Sequence, residues 1–124
     1  MRYYVTILPR IGNSRMIDRT KALLFEKQAR IAKAVAHPLR VAALDFLKDG
    51  EKCVCDIAAH LGAERSNVSR HLTVMVYAGV LTCRKDGLKV FYMLKTPRVT
   101  QFLACVTQVL KHQAKEDEKL LASL

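Results

Sequence analysis

Two cysteines one residue apart, Cys53-Val54-Cys55, with Asp56 beside them, offer the most reactive side-chain chemistry in the chain. Unsatisfied N–H groups at a helix start favour an anion, so a thiol placed there ionises more readily, and thiolates select soft, thiophilic ions. In an unbroken helix, residues two apart diverge by about 200°, so clasping one ion requires both cysteines on a frayed or unwound turn. A pair of sulfurs falls short of a tetrahedral zinc site and of the three-sulfur pyramid suited to trivalent arsenic or antimony. Cys105 borders the apolar face of the last helix, where an inert buried cysteine is the plain reading, and Cys83 falls on a strand near the proposed DNA. His37, His60 and His112 are scattered and read as surface or capping groups.

A second constellation, Arg65, Ser66, Asn67, Ser69, Arg70 and His71, crowds one short stretch with groups able to donate to phosphates or pair with base edges in a major groove. Val68, Leu72, Met75 and Val76 recur through it at helical spacing, which predicts one buried stripe and one polar leading edge. Upstream, CVCDIAAHLG reads as a shorter helix beginning near Val54 and closed by Gly62, with a turn of about three residues before the second helix. That is the layout of a helix-turn-helix. After Gly79, VLTCRKDGLKVFYML places two β-prone runs around Asp86-Gly87, which predicts a hairpin with a type I′ turn. The fold class is therefore mainly α with a β-hairpin wing, and Arg84, Lys85 and Lys89 on that wing suit a phosphate backbone beside the groove.

Length, charge and composition narrow the partners. The 124 residues carry a formal net charge of +10, which favours a polyanion over an acidic small molecule. No apolar run approaches the length of a membrane span and no secretory leader is evident, so the cytoplasm is the expected compartment. There, closely spaced cysteines point to metal or redox chemistry more than to disulfides. No nucleophile-base-acid arrangement or phosphate-binding glycine loop can be assembled, so no enzyme is expected.

The flanking elements read as helices. Residues from about Met16 to Ala36 form one, with Leu24, Gln28, Ile31 and Val35 in line; His37-Pro38 ends it and opens the next, which buries Leu39, Ala43, Phe46 and Leu47. Pro97 is placed to open a last helix whose apolar face holds Val99, Phe102, Leu103, Val106, Val109 and Leu110. At full extent it would span about 42 Å, longer than a small domain needs, so the two terminal helices are expected to build a homodimer. Residues 1–15 form an N-terminal extension ahead of a single domain at 16–124. Tyr3, Tyr4, Val5, Ile7 and Leu8 there are strand-like, and Arg2, Arg10 and Arg15 suit an accessory arm on DNA.

From about Leu23 to Leu110, the segments AVAHPLRVAALDFL, CVCDIAAHLG, SNVSRHLTVMVYAGVL and RKDGLKVFYML together resemble the ArsR/SmtB metalloregulators. The resemblance implies a winged-helix repressor that dimerises and releases double-stranded operator DNA on binding a metal or metalloid. AHPLR is similar to the family's helix start, with His37 where an aspartate cap is usual. CVCDIA resembles the effector box of the arsenic- and cadmium/lead-sensing members, which implies Cys53 and Cys55 as ligands. Ala58 stands where a third cysteine often lies in arsenic sensors, residues 1–52 contain no cysteine, and the zinc sensors' sites along the last helix are missing. By resemblance the effector is arsenite or antimonite, with cadmium, lead or zinc, or oxidation of the same thiols, as the alternatives.

Overall fold

The computed structural model describes residues 15–124. The expected strand-like run, and Arg2 and Arg10 of the expected arginine arm, lie outside the described residues, whereas Arg15 is the first residue of a helix and not part of an extension. In chain order the elements are α1 (Arg15–Val35), α2 (Pro38–Leu47), β1 (Lys52–Cys53), α3 (Val54–Leu61), α4 (Arg65–Tyr77), β2 (Leu81–Asp86), β3 (Lys89–Leu94) and α5 (Arg98–Ala122).

Local chemistry sets these boundaries. His37 has an extended backbone and its Nδ1 accepts the Leu39 N–H at 3.1 Å, so imidazole does the capping work of a carboxylate while Pro38 opens α2. Gly62, in the left-handed region at φ 62°, closes α3 by donating its N–H to the carbonyls of Ala58 and Ala59. The three residues Gly62 to Glu64 then turn the chain into α4, as the sequence predicts.

α2, α3 and α4 pack around one core. Leu44, Leu47, Ile57, Val68, Leu72, Met75 and Leu81 are its fully buried large side chains. The expected α2 face is rotated slightly: Ala43 and Leu47 are buried, Leu39 and Phe46 only half-buried, and Leu44 takes the innermost place. On α4 the expected stripe holds at Val68, Leu72 and Met75, with Val76 at its half-buried edge.

The wing differs from expectation in two respects. A third strand, β1, pairs antiparallel with β3 through Lys52 with Tyr92 and Cys53 with Phe91, giving the order β1-β3-β2. The hairpin turns on Gly87 and Leu88, one residue later than expected, because Asp86 already pairs with Lys89. Gly87 has φ 61° and Leu88 has no positive φ. Positive φ at the first central residue alone is the type II′ pattern, which needs glycine at that one place.

α5 follows Pro97 for 25 residues, about 38 Å. It buries none of them within the chain. Phe102 is 49% exposed and Leu110 58%, and on α1 Leu23 and Leu24 are likewise half-exposed. Between α1 and the start of α5 lies an apolar recess of 720 Å³, lined in part by Ile31, Val35, Val80 and Phe102.

Candidate nucleic-acid interface and thiol site

Helical geometry sorts the polar residues of α4 by the direction they face. With Val68, Leu72 and Met75 inward, the opposite stripe carries Ser66, Arg70, Thr73 and Tyr77. Arg65, Ser66 and Arg70 are exposed, and Asn67, Ser69 and His71 are half-buried. Glu64, at the N-cap, makes no capping hydrogen bond, so the positive end of the helix is not closed by a side chain. Tyr77 is 88% exposed and continues the stripe two helical turns beyond Arg70. Its spacing from Arg70 and Ser66 is the signal in the sequence that marks it.

Two of the expected groove residues face neighbours within the chain. Ser69 lies toward Tyr92 of β3, whose phenol is pushed up by burial against the hydrogen bond from Ser69. His71 turns the other way: its Nδ1 accepts from Arg40 Nε at 3.1 Å, and its ring lies 4.3 Å from that of His37. Burial, then the nearby His37, Arg40 and Arg70, hold its pKa below the ordinary imidazole value. His71 is therefore neutral at pH 7, with its proton on Nε2.

The three wing cations also differ. Lys85 and Lys89 are exposed at the hairpin end. Arg84 is exposed but engaged: its guanidinium makes two hydrogen bonds to the Glu51 carboxylate and lies 4.5 Å from the Phe91 ring centroid. Glu51, a residue that no pattern in the sequence marks, is the partner, and it holds Arg84 on the β1 side of the sheet.

Cys53 is not on a helical turn. It ends β1, has extended backbone at φ −74° and ψ 147°, and serves as the N-cap of α3. Its Sγ accepts the Cys55 backbone N–H at 3.2 Å. Backbone N–H groups of Asp56 and then Cys55 hold the Cys53 thiol below the ordinary thiol range, against the opposing pull of burial. Cys53 is 6% exposed, whereas Cys55, on the first turn of α3, is exposed. The expected need to unwind a helical turn thus falls away, since the first cysteine already lies outside the helix. Cys105 is exposed on α5 and not buried within the chain, and Cys83 is exposed on β2 opposite Tyr92. Among the described residues, no group of three or more His, Cys, Asp or Glu side chains is arranged to hold a metal ion. Nor is any described helix long and apolar enough to cross a membrane.

Known proteins share this arrangement. The family described as bacterial regulatory protein, arsR family, matches residues 37–82, from the α2 cap to the first wing strand. The HTH-type transcriptional regulator Rv0081 of Mycobacterium tuberculosis, itself uncharacterised, is 30% identical over 102 residues, covering 82% of this chain and 90% of that one. The solution structure of the homodimeric winged helix-turn-helix DNA-binding domain of Mb0332 from Mycobacterium bovis superposes with a TM-score of 0.69 at 28% identity, covering 86% of this chain and 94% of that one. A crystal structure described as a possible transcriptional regulator for arsenical resistance gives a TM-score of 0.54 at 35% identity, covering 64% and 82%. With the helix-turn-helix, the wing and these relatives in agreement, the chain belongs to the ArsR family of DNA-binding transcriptional regulators, which are not enzymes.

Proposed function

We propose that the chain acts in the cytoplasm as a homodimeric repressor that releases its operator when Cys53 and Cys55 take up a thiophilic ion. Trivalent arsenic or antimony is the first choice, with cadmium, lead or zinc as the alternatives. The observation that carries this reading is the place of Cys53, which is at once the cap of α3, a partner of wing strand β3 and a thiol with a lowered pKa. Similarity to a protein described as a possible transcriptional regulator for arsenical resistance supports the choice of ion.

In this reading residues 16–124 are the working domain. Arg65, Ser66, Asn67 and Arg70 serve the groove, while Ser69 and His71 support α4 from its flanks through Tyr92 and Arg40. Lys85 and Lys89 serve the flanking phosphates, and Arg84 joins them when Glu51 lets it go. The exposed apolar faces of α1 and α5, and the homodimeric state of the Mb0332 domain, support pairing of two copies through those helices. Two soft sulfurs, one with a lowered pKa, fit part of a pyramidal site for a trivalent metalloid. A third sulfur has to come from elsewhere, and Cys105 on α5 is the candidate that would join the site to the dimer seam. When bound, the ion supplies soft Lewis acidity toward thiolates.

The chain's own part is mechanical. A sulfur that turns to a ligand bond gives up the Cys55 N–H, which weakens the cap of the helix on which α4 is packed. Helix caps contribute about 0.5 to 2 kcal/mol, the scale of the roughly 1 to 3 kcal/mol coupling that changes an affinity 5- to 150-fold. The test is a gel shift on the chain's own promoter with and without arsenite, beside mass spectrometry after arsenite or mild oxidant. Release by arsenite with the thiols still reduced supports the reading. Release only on oxidation makes the pair a redox switch, which the lowered Cys53 pKa also favours.

A further inference from the structure

α4 carries different neighbours on its two flanks. On one, Ser69 lies toward Tyr92 and the three-stranded wing. On the other, a recess of 370 Å³ opens between α4 and the α1–α2 corner, walled by Val74, Tyr77 and Ala78 on one side and by Arg30, Lys33 and Arg40 on the other. No acidic side chain lines it among the described residues. Arg30, Lys33 and Arg40 form no ion pair with an acidic residue among the described residues.

Arg40 is fixed there before any partner arrives. Its Nε donates to His71 Nδ1 at 3.1 Å and its Nη1 donates to the Ala34 carbonyl at 3.2 Å. Both acceptors are neutral, so the guanidinium keeps its full charge, and the donors left over are held in a fixed fork that matches phosphate oxygens. Arg30 and Lys33, three residues apart on α1, add exposed charges at the rim. Arg70 stands on the same exposed stripe of α4 as Tyr77, so the recess adjoins the face proposed to read the groove.

We infer that Arg30, Lys33 and Arg40 form a second DNA-backbone clamp, gripping phosphates on the flank of the recognition helix opposite the wing. A helix in the major groove lies between two phosphate backbones; the wing serves one and this corner serves the other. The inference rests on α4 being the recognition helix. It assigns the corner to duplex phosphates and not to a free anion, because the recess is walled by Tyr77, which shares the exposed stripe of α4 with Arg70.

The test compares Arg30→Gln with Lys33→Gln, combined in one chain, against the wild type on operator and on random duplex over a salt series. Glutamine keeps helix propensity, and both positions are exposed, so the variant is expected to fold; its unfolding temperature is checked alongside. Neutralising four fewer phosphates per dimer should flatten the slope of log affinity against log salt by about 3 to 4 and weaken both duplexes alike. A control combining Lys115→Gln with Lys119→Gln on α5 removes the same charge and should leave the slope unchanged. The clamp is overturned by a slope equal to wild type, by an equal loss in the control, or by a loss confined to operator. It is also overturned if the wild type binds inorganic phosphate and the variant does not while both bind duplex with the same salt slope, which would make the corner a free-anion site. A wild type that shows no salt-dependent binding at all would instead overturn the recognition-helix reading beneath it.

Discussion

Glu51 and Arg84 stand 33 residues apart in sequence and meet across the sheet, with Arg84 Nε donating to one Glu51 carboxylate oxygen at 2.9 Å and Nη2 donating to the other. Glu51 is two residues before Cys53, and Arg84 is on the wing. The ion pair therefore spans the distance between the proposed thiol site and a cation meant for phosphate.

Because the pair is exposed, it adds little to stability, and its main effect is to occupy a cation. Glu51→Gln should release Arg84 from its charged hydrogen-bond partner, leaving the looser 3.9 Å contact with Asp86, raise affinity for any duplex, and steepen the salt slope by up to about 0.9 per protomer. Fluorescence anisotropy across a salt series reads this directly. An unchanged slope would mean that Arg84 does not reach phosphate even when released.

What is legible in the sequence and what is not divide along range. The periodicity of Val68, Leu72 and Met75, the Gly62 cap, and Pro38 and Pro97 as helix starts depend on neighbours within a few residues, and the structure agrees with all of them. The wing turn falls one residue from its expected place because both Asp86-Gly87 and Gly87-Leu88 satisfy hairpin chemistry, and only the pairing of Asp86 with Lys89 decides between them. β1 has no signature in the sequence, since two residues carry no alternation to detect; it exists because Cys53 and Lys52 find β3. The same long-range pairing puts Cys53 outside the helix. Glu51 with Arg84 and Arg40 with His71 are likewise tertiary meetings with no local signature.

His71 should make stability depend on acid. Its folded pKa is depressed, so at neutral pH it is uncharged in both folded and unfolded chains, and its contribution is fully present there. As pH falls through the ordinary imidazole value, about 6.5, the unfolded chain takes up a proton first and the native state loses ground until the depressed folded value is passed. In His71→Gln, where the amide oxygen can still accept from Arg40, that decline should be smaller. Urea midpoints between about pH 7.5 and about pH 5.5, a window bracketing that imidazole value, check it; parallel curves for the two proteins would refute the assignment.

The apolar faces left open on α1 and α5 predict an obligate assembly. Phe102→Glu would bury an unpaired carboxylate at the proposed seam, at a penalty of several kcal/mol. Sedimentation should then find monomer or unfolded chain in place of dimer. A stable dimer carrying glutamate at this position would locate the interface on another face.

Groove and wing should separate in binding. Arg65→Ala is expected to reduce discrimination between operator and random duplex, with a loss of about 1 to 3 kcal/mol on operator if Arg65 pairs with a base edge. Lys89→Ala should weaken both duplexes about equally and reduce the salt slope by about 1 for each phosphate it no longer neutralises. Equal, sequence-independent losses in both variants would move Arg65 from the base edges to the backbone.

The two cysteines should fail differently because they are held differently. Cys53 is buried, caps α3 and pairs with β3, whereas Cys55 is exposed on the first helical turn. Both Cys53→Ser and Cys55→Ser should abolish release by arsenite, since a hydroxyl is a poor ligand for a soft ion. Serine keeps a capping oxygen at position 53, so apo binding to DNA should survive in both. Cys53→Ala removes the cap as well, and should lower stability by about 0.5 to 2 kcal/mol where Cys55→Ala does not. Cys105→Ser then decides the third ligand: sulfur coordination falling from three to two by X-ray absorption, with loss of response, would bring α5 into the site. Full response would leave the pair completed by an added thiol or solvent. Release of DNA by arsenite in both single serine variants would show that the ion acts somewhere else on the chain.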